Sequence, residues 1–337
     1  MDEARTARQD PGRREKIEAE RDAERDAERR QERRVRLIIA GSAVAVVVII
    51  VVSFILVKAN TKKTVFSGAA HTAPTGSARP SAPPSAPPSV PPSVVSQVTS
   101  IPASVTDAVG TGGSQVLGKP MAVTSSGVPL TASGKPEMLY VGGEFCPYCA
   151  AERWAIIVAL SRFGTFSGLK PIHSAAENGA GNAEPYPNTA TWTFHGSSFT
   201  SRYLTFTPVE VETNIPDPST GGYTALQPMT SAQTAVFNKY DAPPFVPSGD
   251  NGSFPFVDFG NKYVIVGASY SPQLLVNLMW SEIASALTKP SSPGAMAVVG
   301  TANYMTAAIC KMTGNQPATA CTSTVQHLQS QLVAPRH

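Results

Sequence analysis

MLYVGGEFCPYCAAERWAIIVAL, residues 138–160, decides the fold. A short apolar run, Met138 to Val141, leads into Cys146-Pro147-Tyr148-Cys149, and an apolar segment with helical spacing follows from Ala150. That order predicts a strand, a turn and a helix with a CxxC at the junction. Two intervening residues let both sulfurs meet within one helical turn. Unpaired N–H groups and the macrodipole at a helix N-terminus favour a thiolate there. Pro147 suits the first helical position, where its missing N–H has no partner to lose. Cys146 is therefore read as an exposed, acidified thiol near the N-cap, and Cys149 as the resolving thiol on the helix. The arrangement points to thiol–disulfide exchange. The same spacing also serves as half a zinc site or as a structural bridge, although zinc knuckles rarely sit at a strand–helix junction.

Three segments precede the folded part. Residues 1–36 are almost all charged, with Arg nearly balanced by Glu and Asp and no apolar stripe, which reads as a solvated tail. Residues 37–57 form an uncharged run, LIIAGSAVAVVVIIVVSFILV. As a helix it would span roughly 30 Å, the thickness of a hydrocarbon core. It is longer than a signal-peptide core and begins too far from the N-terminus, so a retained transmembrane helix is expected. Arg29, Arg30, Arg33, Arg34 and Arg36 flank one end, and Lys58, Lys62 and Lys63 the other. Positive-inside counting then places the N-terminus in the cytoplasm and the rest outside, as a single-pass protein of the cell membrane. Residues 58–113 read as a Pro/Ser-rich linker, with a Ser-Ala/Val-Pro-Pro unit repeated from Ser81 to Pro92. Polyproline II would make it a stiff stalk.

Residues 114–337 are long enough for one core and hold all four cysteines, on the outer face where disulfides persist. A net charge of +3 without a basic patch excludes nucleic acid as a partner. Beyond the first helix, a second strand is expected at Leu169–His173, a long loop through Ala176–Pro187, and strands from Thr191 to Thr213 with turns at His195-Gly196 and Thr207-Pro208. A short helix is expected from Thr230 to Tyr240. Phe254 to Phe259 and Tyr263 to Val266 read as a hairpin closed by the two residues Gly260-Asn261. Ser271 and Pro272 open a helix expected to run to Leu287, followed by helices near Ala295–Lys311 and Ser323–Leu332.

The order strand–CxxC–helix–strand, insertion, then Pro–strand–hairpin–strand–helix resembles the thioredoxin superfamily. CPYC and Pro255 at the start of a late strand carry the likeness. More closely, GGEFCPYCAAERWAI, FTSRYLTFTPVEVET and FPFVDFGNKYVIVGASYSP resemble the uncharacterised prokaryotic family catalogued as domain of unknown function 929. The resemblance implies an α/β, thioredoxin-like fold with a central insertion and a C-terminal helical extension, preceded by one transmembrane helix. It further implies that Pro255 is a cis-proline facing the CxxC and that Phe254 offers backbone groups to a substrate peptide. Tyr148, inside the motif, joins them as a substrate-binding residue. The pattern departs from ordinary thioredoxin because Glu144-Phe145 precede the CxxC and no buried acid is evident. Glu144 either fills that place or is an exposed loop glutamate, the commoner state of a Glu.

Cys310 and Cys321 enclose a short loop and read as a structural disulfide joining two C-terminal helices, with a redox relay to CPYC as the alternative. A four-cysteine zinc site, or one completed by His327, fits poorly, so no metal and no cofactor are expected. The composite expectation is a membrane-anchored, extracytoplasmic thiol–disulfide oxidoreductase. Cys146 and Cys149 would act on cysteine-containing secreted or membrane proteins, more naturally oxidising them, with a quinone-linked membrane thiol oxidase restoring the disulfide. The lipid bilayer is a further partner, through residues 37–57. The alternative is a binding or scaffold module whose CxxC is a structural bridge.

Overall fold

The computed structural model describes residues 89–123 and 128–332. The charged tail, the apolar span at 37–57 and the linker up to residue 88 lie outside the described residues, and the expected transmembrane helix with them. Among the described residues, no helix is long and apolar enough to cross a membrane.

The linker ends earlier than its composition implied. Two helices, α1 (Pro92–Thr99) and α2 (Ala103–Val109), occupy positions expected to belong to it. Pro92 opens α1 where no N–H is needed, and Val94 and Val98, four apart, are buried. Val109 is buried as well, and Asn303 Nδ2 donates to the carbonyls of Thr106 and Gly110 at 2.9 and 2.7 Å. A valine spacing only two turns long is hidden inside a Pro/Ser-rich composition.

The strands β1 (Met121–Ala122), β2 (Thr131–Ala132) and β3 (Lys135–Gly142) come next, then α3 (Pro147–Leu160), which starts within the CxxC. Four short strands follow: β4 (Gly164–Ser167), β5 (Lys170–His173), β6 (Ala190–Thr193) and β7 (Ser198–Ser201). β4 pairs with β7 and β5 with β6, both antiparallel, so residues 164–201 form one arm folded back on itself with its tip at 174–189. The order continues with β8 (Thr205–Glu210), the hairpin β9 (Glu212–Asp217) and β10 (Gly222–Ala225), and helix α4 (Ser231–Tyr240). A second hairpin, β11 (Phe256–Phe259) and β12 (Tyr263–Val266), leads to α5 (Trp280–Leu287), α6 (Pro293–Met312) and α7 (Ser323–Gln329).

The central sheet runs β8–β3–β11–β12–β1, with β2 pairing only the start of β3. β3 is an interior strand. Its parallel neighbour is β8, in register from Glu137↔Thr205 to Gly142↔Glu210, and its antiparallel neighbour is β11, from Met138↔Phe259 to Val141↔Phe256. Alternation along β3 sends Met138 and Tyr140 into the core shared with α3 and α6, and Leu139 and Val141 into a second core closed by Phe237 and Tyr240 of α4. A strand covered on both faces reads as a continuous apolar run, which is why MLYV shows no polar alternation.

The strand expected at Leu169–His173 is present as β5, paired with β6 outside the central sheet; the parallel neighbour of β3 is β8. Three expectations are corrected. Thr207-Pro208 is the interior of β8 rather than a turn, with Pro208 opposite Tyr140. Pro is tolerated there because β8 is the sheet's edge and the missing N–H faces away from the ladder. The helix expected from Pro272 to Leu287 is broken: a 3₁₀ turn spans Pro272–Leu275, Asn277 takes φ +61°, and α5 begins only at Trp280. Glu282 starts it anew by accepting the Met279 N–H at 2.7 Å. Finally, the β11–β12 ladder closes at Phe259↔Tyr263, so Lys262 joins Gly260 and Asn261 in the turn.

α6 is buried on nearly every side, between α2, α3, α5 and α7. At Gly300 it meets the backbone of Gly112 closely enough that a Cβ on Gly112 would lie 2.1 Å from the Met296 carbonyl oxygen. Cys310 near its end is bonded to Cys321, just before α7, with Cα atoms 5.7 Å apart and a sequence separation of 11. Replacing both cysteines with Ala should lower stability to urea by about 2–3 kcal/mol, through the lost loop constraint, while leaving the CxxC chemistry unchanged. Unfolding curves with and without the substitutions measure this, and loss of thiol exchange in a folded variant would mark a relay instead of a staple.

Candidate functional site

β3 delivers the chain to the CxxC. Gly143 to Phe145 make the turn, and Cys146 is the N-cap of α3 in an extended conformation, with Pro147 in the first helical turn. Cys146 Sγ accepts the backbone N–H of Cys149 at 3.1 Å, doing what a Ser or Asp oxygen does at other helix N-termini. The two sulfurs are not bonded to each other. Their environments differ. Burial pushes the Cys146 thiol up, but hydrogen bonds from the Cys149 thiol and from the backbone N–H groups of Cys149 and Tyr148, with the charge of Arg153, bring it below its ordinary value. Burial pushes the Cys149 thiol well up, and its contact with Cys146 adds to the rise.

Cys146 was expected to be exposed and is not: only 5 % of its surface is accessible. The arm and the β9–β10 hairpin close over it. Ala175 N–H donates to the Phe145 carbonyl at 2.9 Å, Glu144 N–H donates to the Glu212 carbonyl at 2.9 Å, and Tyr223 stacks on Phe145 with ring centroids 4.2 Å apart. Tyr223 is fixed in turn by the hydrogen bond its hydroxyl donates to Glu184. Glu144, read as either a buried acid or an exposed loop residue, is buried in this wall.

Tyr148 is the member of the motif that reaches solvent, 38 % exposed and edge-on to Tyr186. With Phe254, Leu117 and Ala268 it lines an apolar groove of about 390 Å³. The structure therefore brings Tyr148 and Phe254 together. The Phe254–Pro255 peptide is cis, Pro255 is buried, and its carbonyl accepts the Gly267 N–H at 2.8 Å. Cys310 and Cys321 belong to the far end of α6.

Sequence reasoning passed over the polar groups beneath the motif. Arg153, one helical turn beyond Cys149, is fully buried and bidentate to Glu210 of β8, Nε to Oε1 at 2.9 Å and Nη2 to Oε2 at 2.7 Å. Nη2 also donates to the Gly143 carbonyl at 2.6 Å. Burial works against the guanidinium's charge, but the facing Glu210 carboxylate more than restores it. Tyr140 is fully buried beside the pair, with the guanidinium carbon 5.9 Å from its ring centroid. The signal was available: Cys149 and Arg153 are four apart, hence on one helix face, and an Arg inside an apolar helix demands a buried partner.

Glu152, the next residue back, is also fully buried, and both its oxygens are used. It accepts the Ser269 N–H at 2.8 Å and the Ser269 hydroxyl at 2.7 Å. This ties α3 to the chain at 267–271 that walls the Tyr148 groove. Among the described residues, no three His, Cys, Asp or Glu side chains gather where they could hold a metal ion.

Residues 121–311 match the family model described as "Domain of unknown function (DUF929)". The chain belongs to the DUF929 family. No curated protein and no solved structure matches it. The DUF929 match runs from β1 almost to the end of α6, so it takes in the CxxC, Arg153, Glu210, the Phe254-Pro255 pair and Cys310 but not Cys321.

Burial raises the Glu152 carboxyl to about 7, against the ordinary 4.5, although both bonds from Ser269 oppose the rise. An acid raised in the folded state binds its proton more tightly there than when unfolded. Its contribution is complete below about pH 4.5 and is lost as pH rises through about 7, a change on the order of 3 kcal/mol. Glu152→Gln should remove that slope, so its stability relative to the parent protein improves between pH 4.5 and 7.5. Denaturant midpoints across that range measure it, and parallel pH profiles for the two proteins would contradict the assignment.

Proposed function

We propose that this DUF929 chain is a membrane-tethered, extracytoplasmic thiol–disulfide oxidoreductase of thioredoxin-like fold, acting on cysteine-containing secreted or membrane proteins. The observation that carries the reading is the unequal CxxC pair: Cys146 is held at a helix N-terminus and lowered by its hydrogen bonds, while Cys149 is covered and raised. Exchange chemistry needs this difference. One sulfur must be a good nucleophile and leaving group, and the other must wait one turn away. The sheet order β8–β3–β11–β12, with the CxxC at the exit of the interior strand β3 and helices on both faces, supports the thioredoxin-like part. The uncharged run at 37–57 and its arginine-rich flank support the tether and its orientation.

In the oxidising direction a substrate thiolate attacks Cys146 Sγ of the Cys146–Cys149 disulfide. The Cys146–substrate bond forms, the Cys146–Cys149 bond breaks, and its electron pair leaves on Cys149. A second substrate thiolate then attacks the substrate sulfur of the mixed disulfide, releasing Cys146 as thiolate and the substrate as a disulfide. Two electrons have moved to the CxxC, and a quinone-linked membrane thiol oxidase is the class of partner that would take them onward. Tyr148 and Phe254 meet the substrate chain in the groove that they line at the CxxC turn.

The near-complete burial of Cys146 favours a second reading, a binding or scaffold module with a structural CxxC. Trapping separates the two. In the full-length protein Cys149→Ala removes the thiol that resolves the mixed disulfide intramolecularly. Covalent adducts between Cys146 and secreted cysteine-containing proteins should accumulate and vanish on adding reductant. A folded variant with Cys146 reduced that captures nothing would leave the scaffold reading standing.

A further inference from the structure

The exchange reaction leaves an electron pair on Cys149, inside the protein, and water does not reach it: Cys149 has no accessible surface. A thiolate there depends on whatever the protein places around it. The backbone N–H of Gly143 is one donor. Arg153 supplies charge, but Nε and Nη2 are committed to Glu210 and Gly143.

Two nearby donors are left without a partner among the described residues, Arg153 Nη1 and the hydroxyl of Tyr140, and it is the hydroxyl whose place beside the sulfur is fixed by their shared contact at Gly142. Tyr140 is fully buried and, among the described residues, its hydroxyl takes no hydrogen-bond partner. Its ring is fixed edge-on against Phe194, with centroids 5.2 Å apart, and under the Arg153 guanidinium. Packing of this kind leaves the hydroxyl little choice of direction. It points along β3 toward Gly142: a Cβ built on Gly142 would fall 2.2 Å from the Tyr140 oxygen and 3.1 Å from Cys149 Sγ. The hydroxyl and the sulfur therefore share one side of Gly142, and only a residue without a side chain fits between them. An orphan hydroxyl in a native core ordinarily costs stability, so one kept beside a sulfur calls for a use.

We infer that the Tyr140 hydroxyl donates a hydrogen bond to the Cys149 thiolate that forms when the CxxC disulfide is opened. The inference rests on the exchange chemistry proposed above and extends it to the buried sulfur. In the step concerned, the substrate–Cys146 bond forms, the Cys146–Cys149 bond breaks and the pair stays on Cys149; Tyr140 keeps its proton throughout. In the reverse step the same bond holds Cys149 as thiolate until it attacks Cys146. With that bond Tyr140 would contact a reacting atom, which would make it a catalytic residue in addition to a core residue.

Tyr140→Phe removes one oxygen that lacks a partner and keeps the ring, so the fold is retained. The full-length protein in its oxidised form, mixed with glutathione, reports the opening step through the rate of mixed-disulfide formation at Cys146. Thiolate absorbance of the reduced protein across pH reports the two sulfurs separately. The variant should open about tenfold more slowly, and the higher thiolate step, that of Cys149, should move up in pH while the Cys146 step stays in place. A purely structural tyrosine would shift neither step selectively. If the parent protein exchanges with glutathione and Tyr140→Phe matches it in rate and in both thiolate steps, the Tyr140 inference alone fails. If the parent protein does not exchange at all, the oxidoreductase reading fails and the inference falls with it.

Discussion

One buried guanidinium holds the CxxC turn in place. Arg153 reaches from α3 to the Glu210 carboxylate on β8 and to the Gly143 carbonyl in the turn itself, so helix, edge strand and loop meet at a single side chain. Taking both charges out of water costs several kcal/mol per ion, which the bidentate geometry offsets only because each partner is satisfied. Nη1 is the exception, buried without a partner on the side of the guanidinium left open. Such a pair adds little net stability compared with two well-packed apolar residues. What it supplies is position, together with a permanent positive charge near both sulfurs of the CxxC.

The surroundings of the motif set a tension between protection and access. A helix N-terminus lowers Cys146, and the arm at 164–201 with the β9–β10 hairpin removes it from solvent. The arm is anchored at its base, where β6 is buried against α3 and the Ala190 carbonyl accepts the Trp154 Nε1–H at 2.9 Å, while its tip meets the turn through Ala175 and the hairpin does so through Glu212 and the Tyr223–Phe145 stack. On the proposed function, a protein substrate would reach Cys146 only by displacing part of this wall, whereas Tyr148 and Phe254 already meet solvent.

The strand, turn and helix of residues 138–160 were legible because the apolar run, the CxxC and Pro147 all point the same way. The α4 helix and the β11–β12 hairpin were legible for the same reason, with Thr230 and Gln233 making a capping box and Gly260-Asn261 making a turn. The partner of β3 was not. Parallel pairing is long-range, and nothing local distinguishes β5 from β8; Pro208 even argued against the strand that is used. Burial of Cys146 was illegible too, since it comes from Ala175, Glu212 and Tyr223, all distant in sequence. In the site itself the cysteines were found by motif, while Arg153, Glu210 and Tyr140 were absorbed into apolar or alternating patterns. Only the spacing of Arg153 from Cys149 betrayed one of them.

The central claim is that the Cys146–Cys149 pair exchanges electrons with other proteins, and its equilibrium with glutathione tests that claim most directly. An exchanging pair has a strained disulfide or a charge-stabilised reduced state, and its potential falls between about −120 and −270 mV. The expected value lies inside that window, since the lowered Cys146 thiol favours the reduced form. A value below about −300 mV, where structural disulfides lie, would contradict the account and mark the CxxC as a fixed bridge.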